Sequence, residues 1–283
     1  MPTSLILYIE SHDPLPEVFL GREVQAWFLK AVQEITPTLS RKLHDQDGHK
    51  PYTVSDVYHL PEELRSVSPA PLIIRITAYE DSLEELLAGR FIKRLPEEMR
   101  LWYRLLRIRG FSCSADESPW AGQLSYQSIA HTAQELEELG LRLEFVSPTG
   151  FRSNGKDIVE PLPAHVFRGC MQKWNHYAPA EMRMHPDLPR FIEDCLTARA
   201  REDFELQRIT FAQGKRGGAV GFTGSVDFAI QQPHASLEWL MDFPSWAAQV
   251  RALAMYAFFS GVGHHTTVGL GQTFPRLLHS MNA

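Results

Sequence analysis

Short apolar runs of strand length alternate along the chain with stretches whose apolar residues fall at helical spacing. Ser4–Glu10 (SLILYIE) has the length of one strand. Gly21–Ile35 then places Val24, Trp27, Phe28, Ala31, Val32 and Ile35 on one helical face. Pro51–Tyr58 is β-branched and aromatic. Pro71–Tyr79 alternates, with Leu72, Ile74, Ile76 and Ala78 on one side and Ile73, Arg75, Thr77 and Tyr79 on the other. That period of two predicts a half-buried strand. Ser82 precedes Leu83, Leu86 and Leu87 and has Glu85 at the capping-box offset, so a helix is expected to start there. A last strand is expected within Arg100–Cys113. The order is β-α-β-β-α-β.

The second half repeats that order, in topology and not in residues. Ser125–Leu139 reads as a linking helix stopped at Gly140, and Leu141–Ser147 as a strand. Pro163–Tyr177 and Asp187–Ala200 read as helices. Phe204–Ala212 and Ala219–Phe228 read as strands around the turn Gln213-Gly214-Lys215-Arg216-Gly217. A helix over Pro244–Phe259, a glycine loop and a final strand over Thr266–Phe274 complete the chain. The expected fold is α+β, two tandem ferredoxin-like (RRM-like) domains over residues 1–124 and 125–283.

Composition narrows the class. With 44% hydrophobic and 22% charged residues among 283, the chain is globular, not disordered. No apolar run reaches the ~18 residues of a membrane helix, so no membrane partner is expected. The N-terminus reaches Glu10 without a basic region, so no signal peptide is expected. Cys113, Cys170 and Cys195 are far apart and form no C-x-x-C, which argues against a disulfide framework or thiolate zinc site. A reducing cytoplasm is the expected compartment. Net charge is 28 − 34 = −6, but the charge is segregated. Arg90–Arg109 holds seven basic side chains against Glu97 and Glu98, a local +5, and Phe243–Ala283 holds no acid. Such patches can serve a phosphate backbone, or can simply be a solvated face.

The sharpest local feature is Gly261-Val262-Gly263-His264-His265-Thr266-Thr267-Val268-Gly269-Leu270-Gly271. It is no dinucleotide fingerprint, because it runs from helix to strand and has Thr266 where the third glycine belongs. It lacks the Gly-Lys-Ser/Thr of a P-loop. Glycine backbone of this kind suits either close approach to phosphate or a tightly packed connection. A second feature is His44, set among Arg41, Lys42, His49 and Lys50. A histidine there can exchange protons near neutral pH, although a lone histidine beside a charged loop is more often structural. His264 and His265 are adjacent and make a poor metal pair, and no H-E-x-x-H, catalytic carboxylate pair or G-x-S-x-G is present. No metal or cofactor is expected.

Taken together, these residues resemble the RAMP superfamily of CRISPR-associated proteins, and most closely its sixth Cas family, the endoribonucleases that cut the CRISPR repeat transcript. Leu39–Ser55 (LSRKLHDQDGHKPYTVS) is similar to that family's L-x-x-x-L-H … K-x-[FY]-T-x-S stretch. Phe145–Gly150 (FVSPTG), the helix around Phe167–Trp174 and the glycine loop follow in the family's order. The resemblance covers nearly the whole chain. It implies that His44 is the catalytic histidine and that Lys50 matches a lysine some members use to stabilise the phosphorane-like oxygens. Some members carry a tyrosine fifteen residues before the histidine; that place holds Leu29 here, which leaves Lys42 and His49 as candidates to complement His44. The implied reaction is metal-independent attack of a 2′-OH on the adjacent phosphorus, giving a 2′,3′-cyclic phosphate and a 5′-hydroxyl. Lys42, His49, Lys215, Arg216, Gly261, Gly263, His264, His265, Gly269 and Gly271 are the expected RNA contacts. The implied partner is CRISPR repeat RNA, with effector-complex subunits and a second copy of the chain as further candidates. The competing expectation is an RNA-binding RAMP subunit without activity.

Overall fold

The computed structural model describes residues 1–59, 72–153, 155–212, 218–232 and 242–278. They pack as two compact units. The first comprises Met1–Leu124 with Arg208–Ala219 and His265–Leu270; the second comprises Ser125–Gln207, Val220–His264 and Gly271–Ala283.

The first unit begins with β1 (Thr3–Ser11), α1 (Gly21–Ile35) and α2 (Pro37–Asp45). Then come β2 (Tyr52–Val54), β3 (Tyr58–His59), β4 (Leu72–Ala78), α3 (Asp81–Leu86), β5 (Glu98–Leu101), β6 (Arg104–Ser112) and β7 (Gly122–Gln123). Its sheet runs β2-β4-β1-β6-β5, which contains the ferredoxin-like arrangement with β5 added at the edge. The pairing is antiparallel, with Leu7 opposite Ile74. Leu5, Leu7 and Ile9 of β1 and Ile74 and Ile76 of β4 bury one face against Val24, Phe28 and Val32 of α1. Those helix positions are the ones that helical spacing selects.

β4 is buried on both faces, not half-buried as its alternation predicts. Arg75 is fully buried, its Nε donating to Ser4 Oγ at 2.8 Å and to the Trp120 carbonyl at 3.2 Å, with the guanidinium over the Trp120 ring. The segment carrying Trp120 covers the face that alternation alone assigns to solvent.

The second unit contains α4 (Tyr126–Glu135), β8 (Gly140–Thr149), β9 (Phe151–Ser153), β10 (Lys156–Ile158), α5 (Pro163–Tyr177) and α6 (Leu188–Cys195). It continues through β11 (Leu196–Ala200), β12 (Glu205–Thr210), β13 (Gly218–Ile230), α7 (Phe243–Ser260) and β14 (Thr273–Leu278). The sheet order β11-β13-β8-β14 repeats the arrangement of the first, again antiparallel. Leu141, Leu143 and Phe145 of β8 are buried, and Tyr126, Trp174 and Tyr256 stack edge-on or tilted between α4, α5 and α7. The fold is therefore α+β with two ferredoxin-like sheets.

Several local expectations change. α3 starts at Asp81 with no side-chain cap, and Ser82 Oγ donates to the Glu80 carboxylate instead of closing a capping box. α4 stops at Leu136, and Gly140 opens β8 instead of ending the helix. Asp187–Ala200 divides into α6 and β11, because Leu196–Ala200 pairs with β13. Thr266–Val268 is a short 3-10 turn, and the last strand starts at Thr273. The basic window Arg90–Arg109 is partly neutralised, with Arg104 paired to Asp13, Arg107 to Glu98 and Arg109 to Glu10.

Candidate active site

Proline at position 37 reads as a breaker in sequence, yet it starts a helix. Thr36 is extended (φ −146°), and its N–H donates to the Val32 carbonyl, ending α1. Pro37 takes the first turn of α2, where a missing N–H leaves no bond unmade. α2 then anchors itself by the buried Leu39 and Leu43. His44 lies in the last turn of α2.

Pro37, Ser40, Arg41 and His44 follow i, i+3, i+4, i+7 spacing, so they share one face of α2. Ala26, Leu29, Lys30 and Gln33 do the same on α1. The two faces together line a cavity of about 430 Å3. His44 is exposed at this cavity. Neither Lys30 nor Arg41 has a carboxylate partner among the described residues. The site thus offers an exposed imidazole and two uncompensated cations around a pocket open to solvent. Leu29 takes part as a lining residue, and its carbonyl accepts from Ser40 Oγ at 3.5 Å.

Lys50 takes a place different from that of an oxyanion donor. Its Nζ donates to the carbonyls of Leu43 at 2.7 Å, His44 at 3.2 Å and Gln46 at 2.5 Å. These are carbonyls at and just beyond the C-terminal end of α2, which the helix itself leaves unsatisfied. A cation is also favoured there by the helix dipole. The segment is tied further by Tyr79 Oη donating to the Lys50 carbonyl at 2.6 Å and Gln46 Nε2 to the His49 carbonyl at 2.7 Å. Lys42 pairs with Glu80 at 2.8 Å, and neither Lys42 nor His49 lines the cavity.

The structure therefore gathers His44 with Arg41, Lys30, Ser40 and Gln33. Sequence reasoning missed Lys30 and Gln33, because polar residues on the outer face of α1 look like ordinary solvent-facing positions. The available signal was that the α1 and α2 stripes have the same spacing.

The glycine loop is a packed connection over most of its length. Gly261, Gly263, Gly269 and Gly271 all have positive φ. At Gly269 a Cβ would meet the Phe19 ring at 2.7 Å, and at Gly263 it would meet the Gly150 carbonyl oxygen at 2.3 Å. The N–H groups of Gly261, Val262, His264, Val268, Leu270 and Gly271 all donate to protein carbonyls. His264 Nδ1 also shares the Gly150 carbonyl, at 2.8 Å. His265 is exposed, with φ 61°. Lys215 and Arg216 lie outside the described residues.

Two ferredoxin-like sheets, a histidine on a short second helix and a glycine loop before the last strand make up an α+β protein of the kind that the resemblance to the RAMP superfamily implies. Comparisons narrow this further. The family description CRISPR Cas6 N-terminal domain matches residues 1–131, and CRISPR-associated endoribonuclease Cas6 matches residues 143–273. The chain belongs to the Cas6 family. It is 28% identical over 130 residues to the CRISPR-associated endoribonuclease Cas6 of Mycobacterium tuberculosis, a stretch covering 46% of this chain and 37% of that protein. Among solved structures, a Cas6 product complex superposes with TM-score 0.77 at 23% identity, over 98% of this chain and 100% of that one. Thermus thermophilus Cas6 gives 0.69 at 23% identity, over 98% of both chains. A Cas6-related protein from Pyrococcus furiosus gives 0.61 at 10% identity, over 99% of this chain and 100% of that one. These likenesses are of fold. No helix among the described residues is long and apolar enough to cross a membrane.

Proposed function

We propose that this protein is an endoribonuclease that cuts CRISPR repeat transcripts to mature guide RNAs, and that the cut is made at the α1–α2 cavity. The observation that carries the reading is the shared face of His44, Arg41 and Ser40 opposite Lys30 and Gln33, in a chain of the Cas6 family. The 2′-OH of one nucleotide attacks the adjacent phosphorus. A bond forms from O2′ to phosphorus, the bond from phosphorus to O5′ breaks, and one proton moves from O2′ to O5′ in total. His44 is the group placed to carry a proton transfer, worth typically ~10²–10⁴-fold. Arg41 and Lys30 supply positive charge where the non-bridging oxygens become more negative. Holding the nucleotide in line supplies much of the rest. Lys50 acts through His44 by fixing the end of the helix that carries it.

In this reading residues 1–124 form the catalytic domain and 125–283 an RNA-holding domain. Lys42, His49, Lys215, Arg216 and the glycine loop contribute contacts to the RNA outside the cavity. Structural neighbours that include Cas6 product complexes and a RAMP protein binding different RNA substrates support RNA as the ligand. Effector-complex subunits and a second copy of the chain are proposed as further partners, and the cytoplasm as the compartment, on the family resemblance alone.

The test is product-end chemistry. Purified protein is incubated with repeat RNA in EDTA, and the fragments are treated with polynucleotide kinase under conditions that do or do not remove cyclic phosphate. Downstream fragments that accept label directly, and upstream fragments that change mobility only after phosphate removal, support the reading. Downstream fragments carrying a 5′-phosphate contradict it.

A further inference from the structure

A second cavity, of about 480 Å3, lies within the second unit. One wall is a stripe of α5: His165, Arg168, Gly169 and Gln172, again at i, i+3, i+4, i+7. Phe151 and Arg152 of β9 and Gly263 and His264 of the glycine loop also line the cavity.

Arg152, Arg168 and Gln172 are exposed at the mouth of this cavity. Several other arginines of the protein are matched to acids: Arg142 and Arg201 to Asp227, Arg276 to Glu144, Arg104 to Asp13. Arg152, Arg168 and Gln172 have no hydrogen-bond or ion-pair partner among the described residues. Asp157 is the cross-strand partner of Arg152 in the β9–β10 hairpin. His165 Nδ1 is buried and also makes no hydrogen bond. A buried group left unsatisfied costs about 1–3 kcal/mol, so it needs an explanation.

The walls supply more than charge. The rings of Phe151 and His165 lie 5.5 Å apart with a 35° tilt, forming an aromatic surface. His264 Nδ1 and its backbone N–H both point to the Gly150 carbonyl, at 2.8 and 3.0 Å. Burial holds that imidazole below its ordinary value and so keeps it neutral, with Arg152 adding to the effect against the Gly150 bond and Asp157. In the tautomer whose Nδ1 donates, Nε2 is the acceptor end of the ring. Two guanidiniums and an aromatic wall suit a nucleotide, its phosphates on the cations and its base against the rings. The volume falls within the ~300–1,000 Å3 of small-ligand sites.

We infer that this cavity receives one unpaired ribonucleotide of the repeat RNA, its two flanking phosphates on Arg152 and Arg168 and its base against the Phe151–His165 wall. The inference rests on the RNA reading of the chain and assigns a separate site in the other unit.

The test uses the full chain carrying His44→Ala, so that bound RNA stays intact. Repeat RNAs carrying 2-aminopurine at each unpaired position in turn are titrated with protein. One position is expected to change its fluorescence on binding. In Arg152→Ala/Arg168→Ala that change is lost, binding weakens at least ~10-fold, and the slope of log affinity against log salt falls by about 1.4, at ~0.7 per single-strand phosphate. Arg152→Lys/Arg168→Lys keeps the slope. Gly169→Leu is a second, independent variant: a Cβ at Gly169 meets nothing within 4 Å, and a larger side chain at this lining position is expected to take up cavity space. It is expected to abolish the fluorescence change without lowering the melting temperature. Tight binding with an unchanged slope and no responding position overturns the inference alone. Failure of the parent His44→Ala protein to bind any repeat RNA overturns the RNA reading beneath it.

Discussion

The ammonium nitrogen of Lys50 lies 3.2 Å from the backbone carbonyl oxygen of His44, and the same nitrogen also holds the carbonyls of Leu43 and Gln46. The lysine of the motif thus grips the main chain that presents the histidine. Its three donors are engaged with protein, so the role proposed for it is to hold His44 in position.

Replacing Lys50 separates positioning from direct contact. Lys50→Met leaves three carbonyls at the end of α2 without their cation, at about 1–3 kcal/mol. Melting temperature and single-turnover cleavage rate are both expected to fall, the rate by at least ~10-fold. Lys50→Arg recovers most of both. A Lys50→Met protein that melts like the parent but has lost cleavage would show that the ammonium acts on the RNA instead.

Arg41 and Lys42 are neighbours in sequence but face different surroundings, and their variants are expected to differ accordingly. Arg41 lines the His44 cavity, whereas Lys42 pairs with Glu80. Arg41→Ala and Lys30→Ala should each lower the cleavage rate by ~10-fold or more, as expected for lost electrostatic stabilisation. Lys42→Ala should change it less than ~3-fold, since exposed pairs are worth ~0–1 kcal/mol. Single-turnover rates at saturating protein measure this. Equal effects of Arg41 and Lys42 would remove the cavity as the site.

Asp56 sets a pH dependence of stability. Its Oδ1 accepts from the N–H of Leu20, at 2.9 Å, and of Val57, at 2.8 Å, at the start of α1. Burial pushes its carboxyl up to about 7 against those two bonds, with Glu23 adding to the rise. Folded protein therefore holds this proton where unfolded protein has lost it. The stabilisation is complete below pH ~4, falls by up to ~1.4 kcal/mol per unit between pH ~4 and 7, and is flat above. Asn at this position keeps an acceptor for both N–H groups and carries no charge. The difference in denaturation free energy between Asp56→Asn and parent should grow from pH 4 to 7 in favour of the variant. A constant difference would contradict the assignment.

Gly269 has φ +100°, and a Cβ there would meet Phe19 at 2.7 Å and the Asp56 nitrogen at 3.1 Å. Gly269→Ala is expected to destabilise by about 1–3 kcal/mol, lowering the melting temperature by ~2–4 °C per kcal/mol for a chain of this class. Gly89→Ala, where a Cβ meets nothing within 4 Å, is the control and should melt like the parent.

Much of the fold could be read from periodicity. α1 and α5 span the residues their spacing predicts, because each buries a broad apolar stripe that nothing else competes for. Short or weakly apolar elements were not legible. α2 is nine residues long and largely polar, so its helical character rests on Leu39, Leu43 and the Lys50 ammonium beyond its end. β11 reads as helix because only pairing with β13 makes it a strand. His44 was visible through its motif, but its companions were not. Lys30 and Gln33 lie ahead of it on another helix, and the two become one surface only when α1 and α2 pack. Arg152 and Arg168 are likewise brought to one cavity by the β9–β10 hairpin folding over α5, a tertiary event that no local pattern announces.

In the proposed reaction a ribose 2′-OH is the attacking group and His44 carries a proton transfer. The most direct measurement scans a repeat RNA with one 2′-deoxy substitution per molecule, in EDTA, against the parent protein and His44→Ala. One fixed cut is expected, abolished by a single substitution on the 5′ side of the scissile phosphate, together with a His44→Ala protein that binds the RNA but cuts it at least ~100-fold more slowly. Cutting at the parent rate by His44→Ala, or a cut indifferent to every 2′-deoxy substitution, would contradict the proposed reaction.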